Sequence, residues 1–126
     1  MIDRRVLDRR NSERRNHERR ARERYPFTAI VEAEEPESGM RIIASSGDLG
    51  MGGCYVETIN PFPLDSTVKL QMIKERTSFS VVSKVVHSKT GVGMGLFFGP
   101  AEADQLWVLE TWLGELTGES AAETRR

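Results

Sequence analysis

The sequence holds one cysteine, two histidines and no long apolar run. One cysteine excludes an internal disulfide framework and a cysteine-based metal site. Cys54 sits between Gly53 and Tyr55 on a candidate strand, which points to a buried, inert thiol rather than a nucleophile. His17 and His87 are far apart and lack nearby carboxylate or cysteine partners, so no metal site is expected, and His87 reads as a surface residue. No stretch approaches the ~18 apolar residues of a spanning helix, and the N-terminus lacks the apolar core of a secretory signal. These absences predict a soluble, cytoplasmic protein without membrane contact. A His–carboxylate pair, a nucleophile motif and a phosphate loop with its lysine are all missing as well. The chain therefore reads as a non-enzyme with no cofactor.

Arginine is what the sequence has in excess. Ten of the first 25 residues are Arg, against five acids, for a net of +5. The remaining chain carries eight Lys or Arg against 14 acids, a net of -6. A basic arm on an acidic body disfavours adhesion to nucleic acid over the whole surface and favours a partner met by the arm. Asp3-Arg4-Arg5, Asp8-Arg9-Arg10, Glu13-Arg14-Arg15 and Glu18-Arg19-Arg20 recur every five residues. That period fits neither a helical stripe nor strand alternation, so residues 1–18 are expected to form a flexible arm and residues 3–15 a solvated polyampholyte.

From Tyr25 the period becomes two. Phe27, Ala29, Val31 and Ala33 face one way, with Thr28, Glu32 and Glu34 opposite. After the turn Glu35-Pro36-Glu37-Ser38-Gly39, a second strand spans Met40 to Ser46 and a third spans Gly52 to Thr58. Asn60-Pro61-Phe62-Pro63 forbids regular pairing. Thr67 to Ile73, Phe79 to His87 and Val92 to Phe98 supply three more strands, Gly93 and Gly95 marking a bend or bulge or the close approach of a ligand. The fold class predicted is all-β: a six-stranded antiparallel barrel. After Pro100 an amphipathic C-terminal helix carries Leu106, Leu109, Leu113 and Leu116 on one stripe, with Trp107 and Trp112 as packing residues. It ends near Gly118, leaving residues 119–126 as a polar tail.

Two segments carry the candidate chemistry. Arg20-Ala21-Arg22-Glu23-Arg24 leads into the first strand, and Asp48-Leu49-Gly50-Met51-Gly52-Gly53 follows the second. Together with Gly91-Val92-Gly93-Met94-Gly95-Leu96-Phe97-Phe98, they resemble the signature of the PilZ domain family over residues 19 to 116. That family pattern is Arg-x-x-x-Arg ahead of the first strand, then Asp or Asn-x-Ser-x-x-Gly after the second. The resemblance implies a receptor for the second messenger cyclic di-GMP, in one or two copies, that signals to an unknown protein effector.

The five-residue repeat also generates Arg-x-x-x-Arg at Arg5/Arg9, Arg10/Arg14 and Arg15/Arg19. Only Arg20 and Arg24 lie close enough to the barrel to fold over its rim, with Arg19 as a third contact. Guanidinium matches the guanine O6/N7 edge and phosphate bidentately, and it stacks on base faces. Asp48 suits guanine N1–H and N2–H, while Gly50, Gly52 and Gly53 permit positive φ and close backbone approach.

Gly50 stands where the family pattern has Ser. One lost hydroxyl contact to an anion costs about 1.5–3 kcal/mol, roughly ten- to a hundredfold in affinity. On this reading Gly50→Ser leaves binding unchanged or tighter. Two other readings stay open: an adaptor of the same family that works by protein contact without nucleotide, and a barrel binding RNA or DNA through its arm. The acid in every arm repeat and the lack of an aromatic strip at strand positions disfavour the second.

Overall fold

The computed structural model describes residues 23–118, and the expectations for residues 1–22 and 119–126 lie outside them. Seven strands follow in order: β1 (Tyr25–Pro26), β2 (Ile30–Glu35), β3 (Met40–Leu49), β4 (Gly53–Glu57), β5 (Thr67–Lys74), β6 (Thr77–Lys89) and β7 (Gly93–Phe98). They pair antiparallel in the order β1-β3-β2-β5-β6-β7-β4, and a further β3–β4 pairing closes β2 to β7 into a six-stranded barrel. The expected barrel is present, with the two-residue β1 added beside the end of β3.

Period-two patterning fills the barrel. Val31 and Ala33 of β2, Val68, Leu70 and Met72 of β5, Phe79, Val81 and Val85 of β6, and Met94, Leu96 and Phe98 of β7 are all buried. In the β-branched run of β6, Val82 and Val86 point outward instead, as strand alternation requires. Phe27 and Ala29 are buried as the alternation predicts, yet the first strand is broken between β1 and β2. Ser46 spans that break. Its buried hydroxyl donates to the Phe27 carbonyl at 2.6 Å and accepts from the Ala29 amide at 2.9 Å. Two backbone groups that lose their ladder partners are thereby satisfied inside the protein.

One end of the barrel is capped by a helix, α1 (Ala103–Thr117), which stops at a left-handed Gly118. Trp112 packs on Phe27 with ring centroids 5.2 Å apart, and Phe79 contacts both Phe98 and Trp112. The Gln105 side chain accepts from the Ser80 amide at 2.7 Å, tying the helix to β6. The expected apolar stripe is shorter than its sequence period suggests. Leu109, Trp112 and Leu113 are buried, whereas Leu106 and Leu116 are exposed. Trp107 is 66% exposed and is not a packing residue. A small barrel mouth covers only the middle turns of a four-turn helix.

Candidate functional site: the β3–β4 corner

Several sequence-predicted site residues meet where β1, β3 and β4 come together, at the barrel end that α1 covers. β3 runs to Leu49, so Asp48 lies on the strand and not in the glycine-rich turn. The register shifts between Ser46 and Asp48, which leaves Gly47 as the extra residue of a β-bulge. The bulge re-aims Asp48. Its Oδ1 accepts from the Tyr55 amide on β4 at 2.9 Å, and Arg24 Nε stands 3.7 Å from the same oxygen. Both side chains of this ion pair are one-third exposed. A pair so wet contributes at most about 1 kcal/mol, so Arg24 is positioned there and not locked.

The glycines act through space rather than through φ. None of Gly50, Gly52 and Gly53 adopts the positive φ that the sequence suggested. Instead, a Cβ on Gly50 would collide with the Glu23 carbonyl oxygen and lie 3.2 Å from Arg24 Cδ. A Cβ on Gly53 would collide with the Leu96 carbonyl oxygen and stand 3.1 Å from Arg24 Nη2. The arm's last residues therefore lie directly across the corner, in room that only glycine leaves. The Gly50 amide donates to the Gly53 carbonyl at 2.8 Å, and the Gly52 carbonyl accepts from the Phe98 amide at 2.8 Å. These bonds fix the turn between β3 and β4.

This geometry revises the expectation for Gly50→Ser. The space that a serine side chain would take is filled by the Glu23 carbonyl and the Arg24 stem, so the substitution displaces the arm. Arg24, Asp48, Gly50 and Gly53 are brought together, with Gly52 in the turn between them. Arg19 and Arg20 lie outside the described residues.

Cys54, the second residue of β4, is buried, and burial first, then the nearby Asp48 charge, pushes its thiol up to about 12, with Arg24 opposing. The thiol is buried as its surroundings suggested. Among the described residues no group of three or more His, Cys, Asp or Glu could hold a metal, and no helix is long and apolar enough to cross a membrane.

Three rings that the sequence reading did not group lie on the outward face. Tyr55, His87 and Phe97 occupy outward positions on three adjoining strands, and Tyr55 and His87 bring their ring centroids within 6.3 Å. They lie 10 or more residues apart in sequence, so linear patterning does not group them. Their cross-strand register would have revealed them.

Comparison with known families settles the class. The family model described as the PilZ domain matches residues 13–115. The chain belongs to the PilZ domain family. PilZ domains form a non-enzymatic family known for cyclic di-GMP receptors and adaptors that work through protein effectors. The PilZ domain of CeSA from a cellulose-synthesizing bacterium is similar with a TM-score of 0.59 and 18% identity, covering 78% of this chain and 98% of that one. The PilZ domain of YcgR from Escherichia coli, solved with c-di-GMP, gives a TM-score of 0.56 at 9% identity, covering 82% and 95%. The Bacillus subtilis inhibitor of motility MotI/DgrA gives a TM-score of 0.56 at 16% identity, and this chain covers 46% of its length with 71% of its own. At such identities these neighbours establish the fold alone. A search of curated proteins finds no match.

Proposed function

We propose that this PilZ domain is a cytoplasmic receptor for cyclic di-GMP that binds one or two ligand molecules at the β3–β4 corner and passes the signal to a protein effector. The observation that carries this reading is Arg24 laid across Gly50 and Gly53 with its guanidinium beside Asp48. Arg24 clamps a ligand phosphate or the O6/N7 edge of a guanine through charge-assisted bonds. Asp48, anchored through Oδ1 by the Tyr55 amide, accepts from guanine N1–H and N2–H. Arg20 and Arg19 reach the ligand from the arm, while Gly50 and Gly53 leave the room in which Glu23 and Arg24 lie across the corner and Gly52 lies in the turn between them.

The Arg24–Asp48 pair is weak enough to be exchanged for phosphate contacts. Fixing about six arm residues costs roughly 6–12 kcal/mol of backbone entropy, which the guanidinium contacts offset. The ordered arm then forms the surface an effector reads. The absent motif serine supports a second reading, an adaptor that meets its effector without nucleotide.

Calorimetric titration of cyclic di-GMP separates them. The native chain releases heat that the Arg20→Ala, Arg24→Ala double variant loses. An absence of heat from the native chain at high micromolar ligand removes the receptor reading and leaves the adaptor reading ahead of the nucleic-acid one.

A further inference from the structure

The corner's polar groups border a surface to which the motif residues assign nothing. Asp48 pairs with Tyr55 across β3–β4, Tyr55 with Gly95 across β4–β7, and Gly95 with His87 across β7–β6. Asp48, Tyr55 and Gly95 form one outward row, because their strand neighbours Leu49, Cys54, Val56, Met94 and Leu96 are buried, and His87 extends it only because the register shifts beside it, leaving both Val86 and His87 exposed. The adjacent row runs Gly53, Phe97, Lys84. Phe97 is 58% exposed, and Arg24 Nη2 approaches the Gly53 position directly across from it. Two polar readers, Arg24 and Asp48, thus stand on one side of three rings.

The backbone is shaped to keep that surface open. Gly95 has no side chain between Tyr55 and His87, and a Cβ there would stand 3.3 Å from His87 Cβ. A second register shift, between Val85 and His87, turns His87 outward beside it. At Gly93 a Cβ would collide with the Val56 carbonyl oxygen and meet the Tyr55 ring at 2.8 Å, so the ring leans along β7 toward Gly93, with Phe97 on the other side of Gly95. Asp48 is two strands from Gly95, about 10 Å, within the span of one nucleotide. A single exposed aromatic is ordinary on a protein surface. Rings from three adjoining strands, flanking a bare glycine and bordering an Arg–Asp pair, are the arrangement that stacks a base.

We infer that Tyr55, Phe97 and His87 form, around the bare backbone of Gly95, a stacking surface for a guanine base of the ligand that Arg24 and Asp48 hold. This rests on the cyclic di-GMP reading and adds to it where a base lies and what grips its face. Arginine and aspartate select edges and charge, whereas the rings add affinity that any purine face shares. Discrimination against cyclic di-AMP then depends on Asp48 and not on the rings.

The test is cyclic di-GMP affinity by calorimetry, joined to the proton NMR shift of the ligand H8 on binding. Phe97→Leu keeps an apolar side chain and removes the ring; Tyr55→Ala removes a ring, and Tyr55→Phe keeps it. Thermal melts establish that each variant is folded, and the exposed Phe97→Leu decides the matter if Tyr55→Ala fails to fold. Phe97→Leu and Tyr55→Ala should each weaken binding about ten- to a hundredfold and reduce the upfield ring-current shift of H8, while Tyr55→Phe binds as the native chain does. Should folded Phe97→Leu bind natively with an unchanged H8 shift while Arg24→Ala binds weakly, the stacking surface is wrong and the receptor reading stands. If the native chain does not bind, both fall together.

Discussion

Two glycine-bearing turns of the same barrel put the same residue type to different uses. In the β6–β7 turn, Gly91 takes φ +82° and a Cβ there would meet nothing within 4 Å. That glycine serves conformation alone. At the β3–β4 corner, Gly50 and Gly53 take no positive φ, and a Cβ on either would strike backbone. Those glycines serve proximity: one admits the incoming arm, the other the facing strand. A turn glycine with open space around it shapes its own loop, whereas a crowded one marks where a second segment has been laid.

Substitutions sharpen that difference. Gly53→Ala is expected to have the largest effect, because the Leu96 carbonyl it strikes belongs to the β4–β7 ladder and cannot move without disturbing the barrel. A loss of about 3 kcal/mol or more in denaturant unfolding is expected, and a native-like midpoint would show that the corner is looser than its geometry. Ser46→Ala comes next. It leaves the buried Phe27 carbonyl and Ala29 amide without their partner, at a cost of about 2 kcal/mol, read as a lower melting temperature. An unchanged melt would mean that water replaces the hydroxyl.

Gly91→Ala places a side chain in left-handed backbone without any clash and should cost only about 1–2 kcal/mol. If it proved more damaging than Gly53→Ala, the contrast between the two turns would collapse. The smallest effect concerns Cys54, at the start of the strand leaving the corner. With its thiol pushed up to about 12 by burial, it carries almost no thiolate at pH 8. Alkylation there should be slow in the folded protein and fast once denaturant unfolds it. Rapid native labelling would show that the corner opens.

Much of the barrel was legible because burial enforces period two. Phe27, Ala29, Val31 and Ala33 kept their face even across the break between β1 and β2, since Ser46 preserved the spacing. The helix was legible as an element but not in its contacts: a repeat of apolar residues gives the stripe, while the barrel mouth decides how much of it is covered, and Trp107 was left outside. The corner was legible as a motif and misjudged in mechanism. Sequence shows that Gly50 and Gly53 lack side chains, but only the fold shows which atoms occupy that room. The Tyr55, His87 and Phe97 group was illegible for a related reason, because residues scattered along the chain become neighbours only through register and two bulges.

The central claim is that the close approach at the corner places Arg24 for the ligand. Cyclic di-GMP affinity of Gly50→Ala, measured beside Gly91→Ala and the native chain, tests it most directly, since each variant adds one methyl group to one turn. Gly91→Ala should bind as the native chain does, and Gly50→Ala about tenfold more weakly or worse, the loss of one charge-assisted contact. Equal affinities for Gly50→Ala and the native chain would contradict the account.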